Sequence, residues 1–453
     1  MPLTYCVSTP EKPNLSARPG PAWLPLALYI IIGVGCALRV YNVWVHNPVD
    51  HIWSDPQRHW DHAKDPLMAS PMVVFDPPVF QMWLSVVQKF TLGIPELIAV
   101  YASLLSVLTP WCWYRFLREY LSSRTWALAG WALLAILPSW IGIYTYFMTE
   151  TLFLPLLGVS LWFTVRADRK QTISAFLVMV LFWTITGLTR GIAIPLAGIS
   201  AALVWFKHPQ KLRSALFSGL MVFSLLAPLA YRNHHFFYLW APHGNGWLNK
   251  IYAESGAREI KLHLSRDGAQ WEYGFGSPSI DSRPFAPLSD WTSKRTGTVD
   301  VTVDFTKGSQ DWKNALEASA KHGAERWSLH LENFIFLFFG DSWPDNNPEY
   351  FMGRMANLSR WLWAPGFLIL TAISLIRWRE QVSRPLLPVL ILVLLYFQGW
   401  MLLVPNEGRY RKPLEGLLVV QALVVVDHYR RRRTSAPPAG DHNPVPNSLQ
   451  AVK

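Results

Sequence analysis

The stretch WLPLALYIIIGVGCALRVYNVWV, residues 23–45, decides the class of this chain. It holds one charge, Arg39, and is long enough to cross a bilayer core of about 30 Å as a helix. Directly after it comes WSDPQRHWDHAKDP, residues 53–66, which crowds Asp55, Arg58, His59, Asp61, His62, Lys64 and Asp65 together. Runs like the first recur along a chain of 453 residues that is 51% hydrophobic and only 16% charged, where a soluble domain carries about 25% charge. The reading is an all-α polytopic membrane protein with about ten transmembrane helices and a small α+β extracytoplasmic domain.

Hydropathy places the spans at 23–45, 97–114, 126–141, 149–165, 172–188, 191–206, 213–231, 361–376, 385–404 and 413–426. The short links alternate in charge. One set carries Arg115, Arg118 and Arg124; Arg166, Arg169 and Lys170; Lys207, Lys211 and Arg213; Arg377, Arg379 and Arg384; and Arg430 to Arg433. That set is cytoplasmic by the positive-inside rule, and it explains the net charge of +11 without nucleic acid. The segment 79–92 is too short and mixed to span without breaking the alternation, so it reads as an interfacial helix on the outer side. The resulting organisation is a cytoplasmic tail (1–22), an N-terminal transmembrane module (23–231) with a first outward loop (46–96), an extracytoplasmic region (232–358), C-terminal transmembrane helices (359–428) and a polar, Pro-rich cytoplasmic tail (429–453). Within 232–358, TVDVTVDF at 298–305 reads as a strand. A helix is expected from Ser309 to Leu331 with Ser309 as its N-cap, and NFIFLFFG at 333–340 reads as a membrane-returning or interfacial segment. The first twenty residues do not read as a signal peptide. The three cysteines, Cys6, Cys36 and Cys112, show no metal or disulfide spacing.

In this topology the charged residues at the outer span ends share one face: Asp55, Glu150, Arg190, Arg409 and Arg411. Charges kept near spans tend to line wet cavities, because each costs about 2.5–3.5 kcal/mol at mid-membrane. Carboxylates facing arginines suit a phosphate-bearing, lipid-attached substrate, since Arg donates a planar fork to phosphate and a carboxylate accepts a proton from an attacking hydroxyl. Asp55 stands before Pro56, a pairing that equally suits a helix start with Asp55 as N-cap. His59 and His62, three apart, share a helix face that would accommodate a divalent metal or bond the loop or substrate. Asp76, ahead of Pro77 and Pro78, reads as a stiff turn. Arg39 reads as internally paired or snorkelling, outside the site.

Four pieces resemble the protein-mannosyltransferase and aminoarabinose-transferase kind of C-type glycosyltransferase, enzymes that use polyprenyl-phosphate sugars. They are LRVYNVWV at 38–45 followed by SDPQRHWDHAKDP with Asp55, His59 and Ala63; DPPVFQMWLSVVQKFTLG at 76–93; FMTETLFLPLLG at 147–158 with GLTRGIAIPL at 187–196; and GRYRKPLEGLLVVQA at 408–422. The resemblance implies an inverting glycosyltransferase of a bacterial-type inner membrane, with its site on the extracytoplasmic side. Asp55 would be the general base, with His59 and Asp61 beside it. Arg190, Arg409, Arg411 and Tyr410 would bind the donor phosphate, and Glu150 and Arg58 would serve the acceptor or the structure. The implied partners are a polyprenyl-phosphate sugar, a glycan, lipid or protein acceptor, and the bilayer; no cofactor is required, and a divalent metal is left open. The family's loop Asp is commonly followed by Glu, whereas Pro56 stands here, so Asp61 or Asp65 is expected to supply the second acid. Two rivals share these residues: a lipid-linked-sugar transporter or flippase, for which no internal repeat is evident, and a glycan polymerase or ligase using lipid-diphosphate donors.

Overall fold

The computed structural model describes residues 23–67, 70–121, 123–242, 251, 254–276, 295–340, 344, 349–376 and 408–435. The N-terminal tail, residues 436–453 and the expected span at 385–404 lie outside these residues, while 429–435, expected as tail, continue the last helix. The helices are α1 (Trp23–Val45), α2 (Ser54–His62), α3 (Pro71–Phe75), α4 (Pro78–Thr91), α5 (Pro95–Tyr120), α6 (Arg124–Ala135), α7 (Pro138–Gly142), α8 (Thr149–Lys170), α9 (Ile173–Thr189), α10 (Ile194–Lys207), α11 (Lys211–Phe237), α12 (Ser309–Ser319), α13 (Gly323–Phe339), α14 (Phe351–Ile376) and α15 (Lys412–Ser435). Among them α1, α5, α8 and α11 are long and apolar enough to cross a membrane, and α6 with α7, bent by 60°, makes a fifth candidate. The expectation of ten spans is therefore not met among the described residues. The spans expected at 172–188 and 191–206 fall on α9 and α10, which are apolar but shorter. Those expected at 361–376 and 413–426 fall within α14 and α15.

Prolines inside the helices dictate the packing. Each lacks an N–H and so orphans the carbonyl four residues earlier. Pro110 frees the carbonyl of Ser106 within α5, and the carbonyl of Leu134 is left without a helical donor where α6 ends ahead of Pro138, the first residue of α7. Arg39, fully buried in α1, donates to both, from Nη1 to Ser106 O at 2.9 Å and from Nη2 to Leu134 O at 2.7 Å. The same guanidinium bonds the Ala135 carbonyl through Nε at 2.8 Å and the Trp140 carbonyl at 3.1 Å. Its charge is thus solvated by the backbone of the α6–α7 bend. Pro155 frees Thr151 O, which accepts from the Tyr144 hydroxyl at 3.1 Å. Gly35 lets α1 come close enough to do this: a Cβ there would lie 2.8 Å from the Ala135 carbonyl carbon.

The core between these helices centres on Trp113 and Trp140, both fully buried with ring centroids 5.3 Å apart. Gly416 of α15 sits against both rings; a Cβ there would approach Trp140 Cζ2 to 2.6 Å and Trp113 Cη2 to 2.9 Å. The described basic residues of the links after α5, α8 and α10 lie at the far ends of those helices from the charged residues that open α8 and follow α9. There Lys207 Nζ meets Asp168 at 2.7 Å, and Arg166 lies 3.7 Å from Glu119.

Outside the bundle, a three-stranded sheet in the order β2-β1-β3 comprises β1 (Glu259–Arg266), β2 (Ala269–Gly276) and β3 (Thr298–Asp304). β1 and β2 form a hairpin through Asp267 and Gly268, both at positive φ, and β3 runs parallel to β1. Ile260, Leu262, Leu264, Val301 and Val303 form its apolar face, which packs on Met72, Val74, Phe75 and Phe237. The sheet is therefore seated on α3 and the end of α11. The single helix expected over 309–331 is two, broken ahead of Gly323 at φ 60°, and NFIFLFFG supplies the last turns of α13 with Phe336 and Leu337 buried.

Replacing Arg39 with Leu is expected to destabilise the protein steeply, since each orphaned buried carbonyl costs about 1–3 kcal/mol. A fall in detergent melting temperature for Arg39→Leu, larger than for Arg39→Lys, checks this; equal melting of all three proteins would refute it.

Candidate active site

The first turn of α2 presents Asp55. Ser54 enters the helix at φ 55°, in the left-handed region that costs a residue with a Cβ about 1–2 kcal/mol. Trp53 occupies the N-cap position, so Asp55 is not the cap. The missing N–H of Pro56 falls in the first turn, where no partner is due. The Asp55 side chain stays 24% exposed, its Oδ1 accepting from Arg58 Nη1 at 2.6 Å and its Oδ2 from Arg409 Nη1 at 3.1 Å.

Arg409 comes from a 3-10 turn at Gly408–Arg411, more than 350 residues along the chain. Its Nε lies 3.5 Å from Glu150 Oε1, and Arg190 Nη1 reaches the same oxygen at 2.5 Å. Glu150, fully buried, stands in the first turn of α8, where a carboxylate meets the positive end of the helix dipole. Arg190 stands just past the last residue of α9. Both guanidiniums lie over the Tyr410 ring, Arg190 at 5.3 Å and Arg409 at 5.2 Å from its centroid, within cation–π range. Arg58 extends the series outward, its Nε 3.2 Å from Asp76 Oδ1. Asp76, Arg58, Asp55, Arg409, Glu150 and Arg190 thus form one chain of alternating charge.

Burial opposes ionisation of Asp55, but the Arg58 and Arg409 guanidiniums outweigh it and hold the carboxyl well below the usual carboxylate range. Asp76 is held below its ordinary value in the same way, by Arg58, His59 and His62 against burial. His59 is pushed down to about 4 by burial, with Arg58 adding to the effect. Its Nδ1 accepts from the Gln81 amide at 2.9 Å and its ring packs edge-on against Phe80. His59 is therefore a neutral ring wedged behind α2.

The structure brings Asp55, Arg58, Glu150, Arg190, Arg409 and Tyr410 together. It leaves Asp61 aside, exposed and paired with Lys64 at 2.8 Å, because Asp61 lies on the outer face of α2. Asp65 caps its own turn through Leu67 N. Arg411 is also turned away: residues two apart in a 3-10 turn diverge by about 240°, so Arg411 is buried against Glu415 at 3.1 Å and the Leu337 carbonyl at 3.0 Å. The carboxylate that joins the cluster is Asp76, which the sequence presents only as part of a proline turn. Its signal was available in α2, where Arg58 and His62 stand four apart on one face and call for a counter-ion. Among the described residues no three of His, Cys, Asp and Glu are placed to hold a metal ion; His59 and His62 both turn toward Asp76 instead, at 3.8 and 2.6 Å.

Residues 76–231 match the dolichyl-phosphate-mannose-protein mannosyltransferase family. Over that stretch the chain is similar to membrane glycosyltransferases, as its order of motifs implies. The matched residues include Asp76, Glu150 and Arg190, while Asp55, Arg58 and Arg409 lie outside them. No curated protein matches the chain significantly.

His59 supplies a pH prediction. The unfolded ring takes a proton near pH 6.5 and the folded ring only near 4, so the unfolded state binds more protons in that window and stability falls as pH drops through it. Asp55 and Asp76 act only below the ordinary carboxylate value of 3.8. The melting temperature should drop between pH 7 and 5, and the drop should shrink in His59→Gln; identical slopes would count against a buried neutral His59.

Proposed function

We propose that this protein is a membrane glycosyltransferase that moves a sugar from a polyprenyl-phosphate donor to an acceptor hydroxyl, with inversion, on the extracytoplasmic face of a bacterial-type inner membrane. The observation that carries the reading is Arg409, whose guanidinium is shared between Asp55 and Glu150 while Arg190 reaches the same Glu150 oxygen. A carboxylate within reach of solvent thus shares Arg409 with a buried glutamate that also holds Arg190, and two such guanidiniums suit the phosphodiester of a polyprenyl-phosphate sugar.

In the proposed step the acceptor oxygen attacks the anomeric carbon from the face opposite the phosphate. The bond from that carbon to the phosphate oxygen breaks, and polyprenyl phosphate leaves with the electron pair. Asp55 takes the acceptor proton as the new bond forms. Arg190 and Arg409, steadied on the Tyr410 ring, hold the charge that grows on the leaving phosphate. The phosphate competes with Asp55 and Glu150 for these guanidiniums, so donor binding loosens Arg409 from Asp55 and makes the base more basic at the moment it is needed.

The lipid tail has a place beside this site. An apolar cavity of about 520 Å³ lies between α9, α10 and α11, lined by Trp183, Gly187, Leu188, Ile194, Gly198 and Gly219 among others. Leu188 and Ile194 flank the turn that starts at Arg190, so the cavity runs from the arginine end of α9 along the helices. A Cβ at Gly198 or Gly219 would meet nothing within 4 Å.

Asp55→Asn should lower kcat by about 10²- to 10⁴-fold with donor binding retained, assayed with purified enzyme, a polyprenyl-phosphate sugar and detection of released polyprenyl monophosphate. Unchanged turnover would remove Asp55 as base, and a diphosphate product would favour the lipid-diphosphate ligase instead. Gly198→Leu, which narrows the cavity, should raise KM for a long-chain donor about tenfold or more and leave a short-chain donor nearly unaffected. An equal effect on both donors would place the tail elsewhere.

A further inference from the structure

Asp76 is the one carboxylate of the charge chain that the proposed reaction leaves without a task. It is 3% exposed and sits between α3 and α4, where Pro77 and Pro78 fix the following backbone. Its two oxygens meet α2 at two points one helical turn apart: Oδ1 at 3.2 Å from Arg58 Nε, and Oδ2 at 2.6 Å from His62 Nδ1. The helix it meets is nine residues long and buries only Pro56 and His59. Trp60 of α2 stacks on Phe147 with ring centroids 4.5 Å apart, and the polar contacts of Arg58 and His62 with Asp76 add a second anchor on the neighbouring face of the helix.

Arg58 is shared. It offers Nη1 to Asp55 and Nε to Asp76, two different edges of the same planar group. By holding Nε, Asp76 fixes the plane of the guanidinium so that Nη1 meets Asp55; without it the group is free to turn a whole edge, two N–H groups side by side, onto Asp55 as a bidentate pair, the strongest form of this contact. A carboxylate locked in such a pair is a weaker base and presents fewer lone pairs outward. The groups that face Asp55 are Arg58 and His59 from α2 and Arg409 from the 408–411 turn, with Asp76 and His62 behind Arg58, and Glu150 and Arg190 behind Arg409. Asp76 is the group among them that draws positive charge away from Asp55 on the side that donor binding does not reach.

We propose that Asp76 is a positioning residue of the site: by holding Arg58 Nε and His62 it keeps Arg58 divided between two carboxylates and so leaves Asp55 competent to accept a proton. The proposal rests on the reading of Asp55 as the base. It assigns the second acid of the site to a residue 21 positions after Asp55, carried on a rigid proline turn rather than on the same loop.

A double-mutant cycle of Asp76→Asn and Arg58→Gln tests it, with kcat at saturating donor and acceptor, donor KM and detergent melting measured for each protein. Asp76→Asn should lower kcat about tenfold, roughly 1.4 kcal/mol in the barrier, with donor KM within about twofold because Arg190 and Arg409 are untouched. In the Arg58→Gln background, adding Asp76→Asn should cost less than about twofold, since no guanidinium remains to be divided. The same tenfold loss in both backgrounds would overturn the proposal and leave Asp76 as a simple support for α2. If Asp76→Asn does not fold, Asp76→Glu takes its place: its carboxylate still reaches Arg58 and should keep at least about half of the wild-type kcat. A folded Asp76→Glu protein with kcat reduced as far as Asp55→Asn would equally overturn it. Turnover by Asp55→Asn reports on the base reading separately, so failure of the cycle and failure of that reading are distinguishable.

Discussion

Everything around the charged chain depends on how Arg39 meets carbonyls that a proline in α5 and the break between α6 and α7 leave without donors. A buried guanidinium is costly unless its hydrogen bonds are met, and a bent helix inside an apolar bundle is costly unless its freed carbonyls are met. Each problem answers the other. Arg39 fixes the bend between α6 and α7, and the bend delivers Ser139 and Trp140 to the C-terminal helix. Trp140 Nε1 donates to the Lys412 carbonyl at 2.9 Å, and the Ser139 hydroxyl bonds Glu415, the partner of Arg411. The turn that carries Arg409 is thereby tied to the first span of the chain. Arg411, expected at the phosphate, instead anchors that turn, and its anchoring aims Arg409 at Asp55.

The site itself obeys the rule that charges near a membrane interior come paired. Three carboxylates and three guanidiniums alternate, and the deepest member, Glu150, is the one with two arginines on a single oxygen. Removing one member leaves a buried charge without compensation, which costs more than the pair contributes. The arrangement is therefore self-supporting without substrate. Its most buried member is Glu150, and its most exposed carboxylate is Asp55, in the middle of the series.

Much of this was legible in the sequence, and the reason varies by residue. Apolar runs reveal spans because hydropathy is a local property, and α1, α5, α8 and α11 appear where it put them. The span count was less legible, because α9 and α10 are apolar but too short to match the other spans. Asp55, Glu150, Arg190 and Arg409 could be grouped because charge at a span end has few uses, and the sign pattern of the links assigns the end. Asp61 and Asp76 could not be ranked this way. Which acid faces Arg58 depends on the rotation of a nine-residue helix and on a turn 21 residues later, and neither leaves a periodic trace. Likewise Arg409 and Arg411 are equivalent on a strand but diverge on a 3-10 turn, so backbone form decides between them.

The neutrality of the cluster bears on what it can bind. A sugar phosphate diester brings one negative charge, and its leaving phosphate brings more as the glycosidic bond breaks. Among the described residues the charges of the cluster balance, so a first added charge would draw guanidinium contacts from Asp55 or Glu150. Glu150 is buried and cannot turn to water, whereas Asp55, a quarter exposed, can. The exchange therefore falls on Arg409, the guanidinium common to both. In the reaction proposed above, substrate binding and base activation would then be one event, driven by the same competition for a single side chain, with the deeper Arg190–Glu150 contact as the fixed reference against which Arg409 would move.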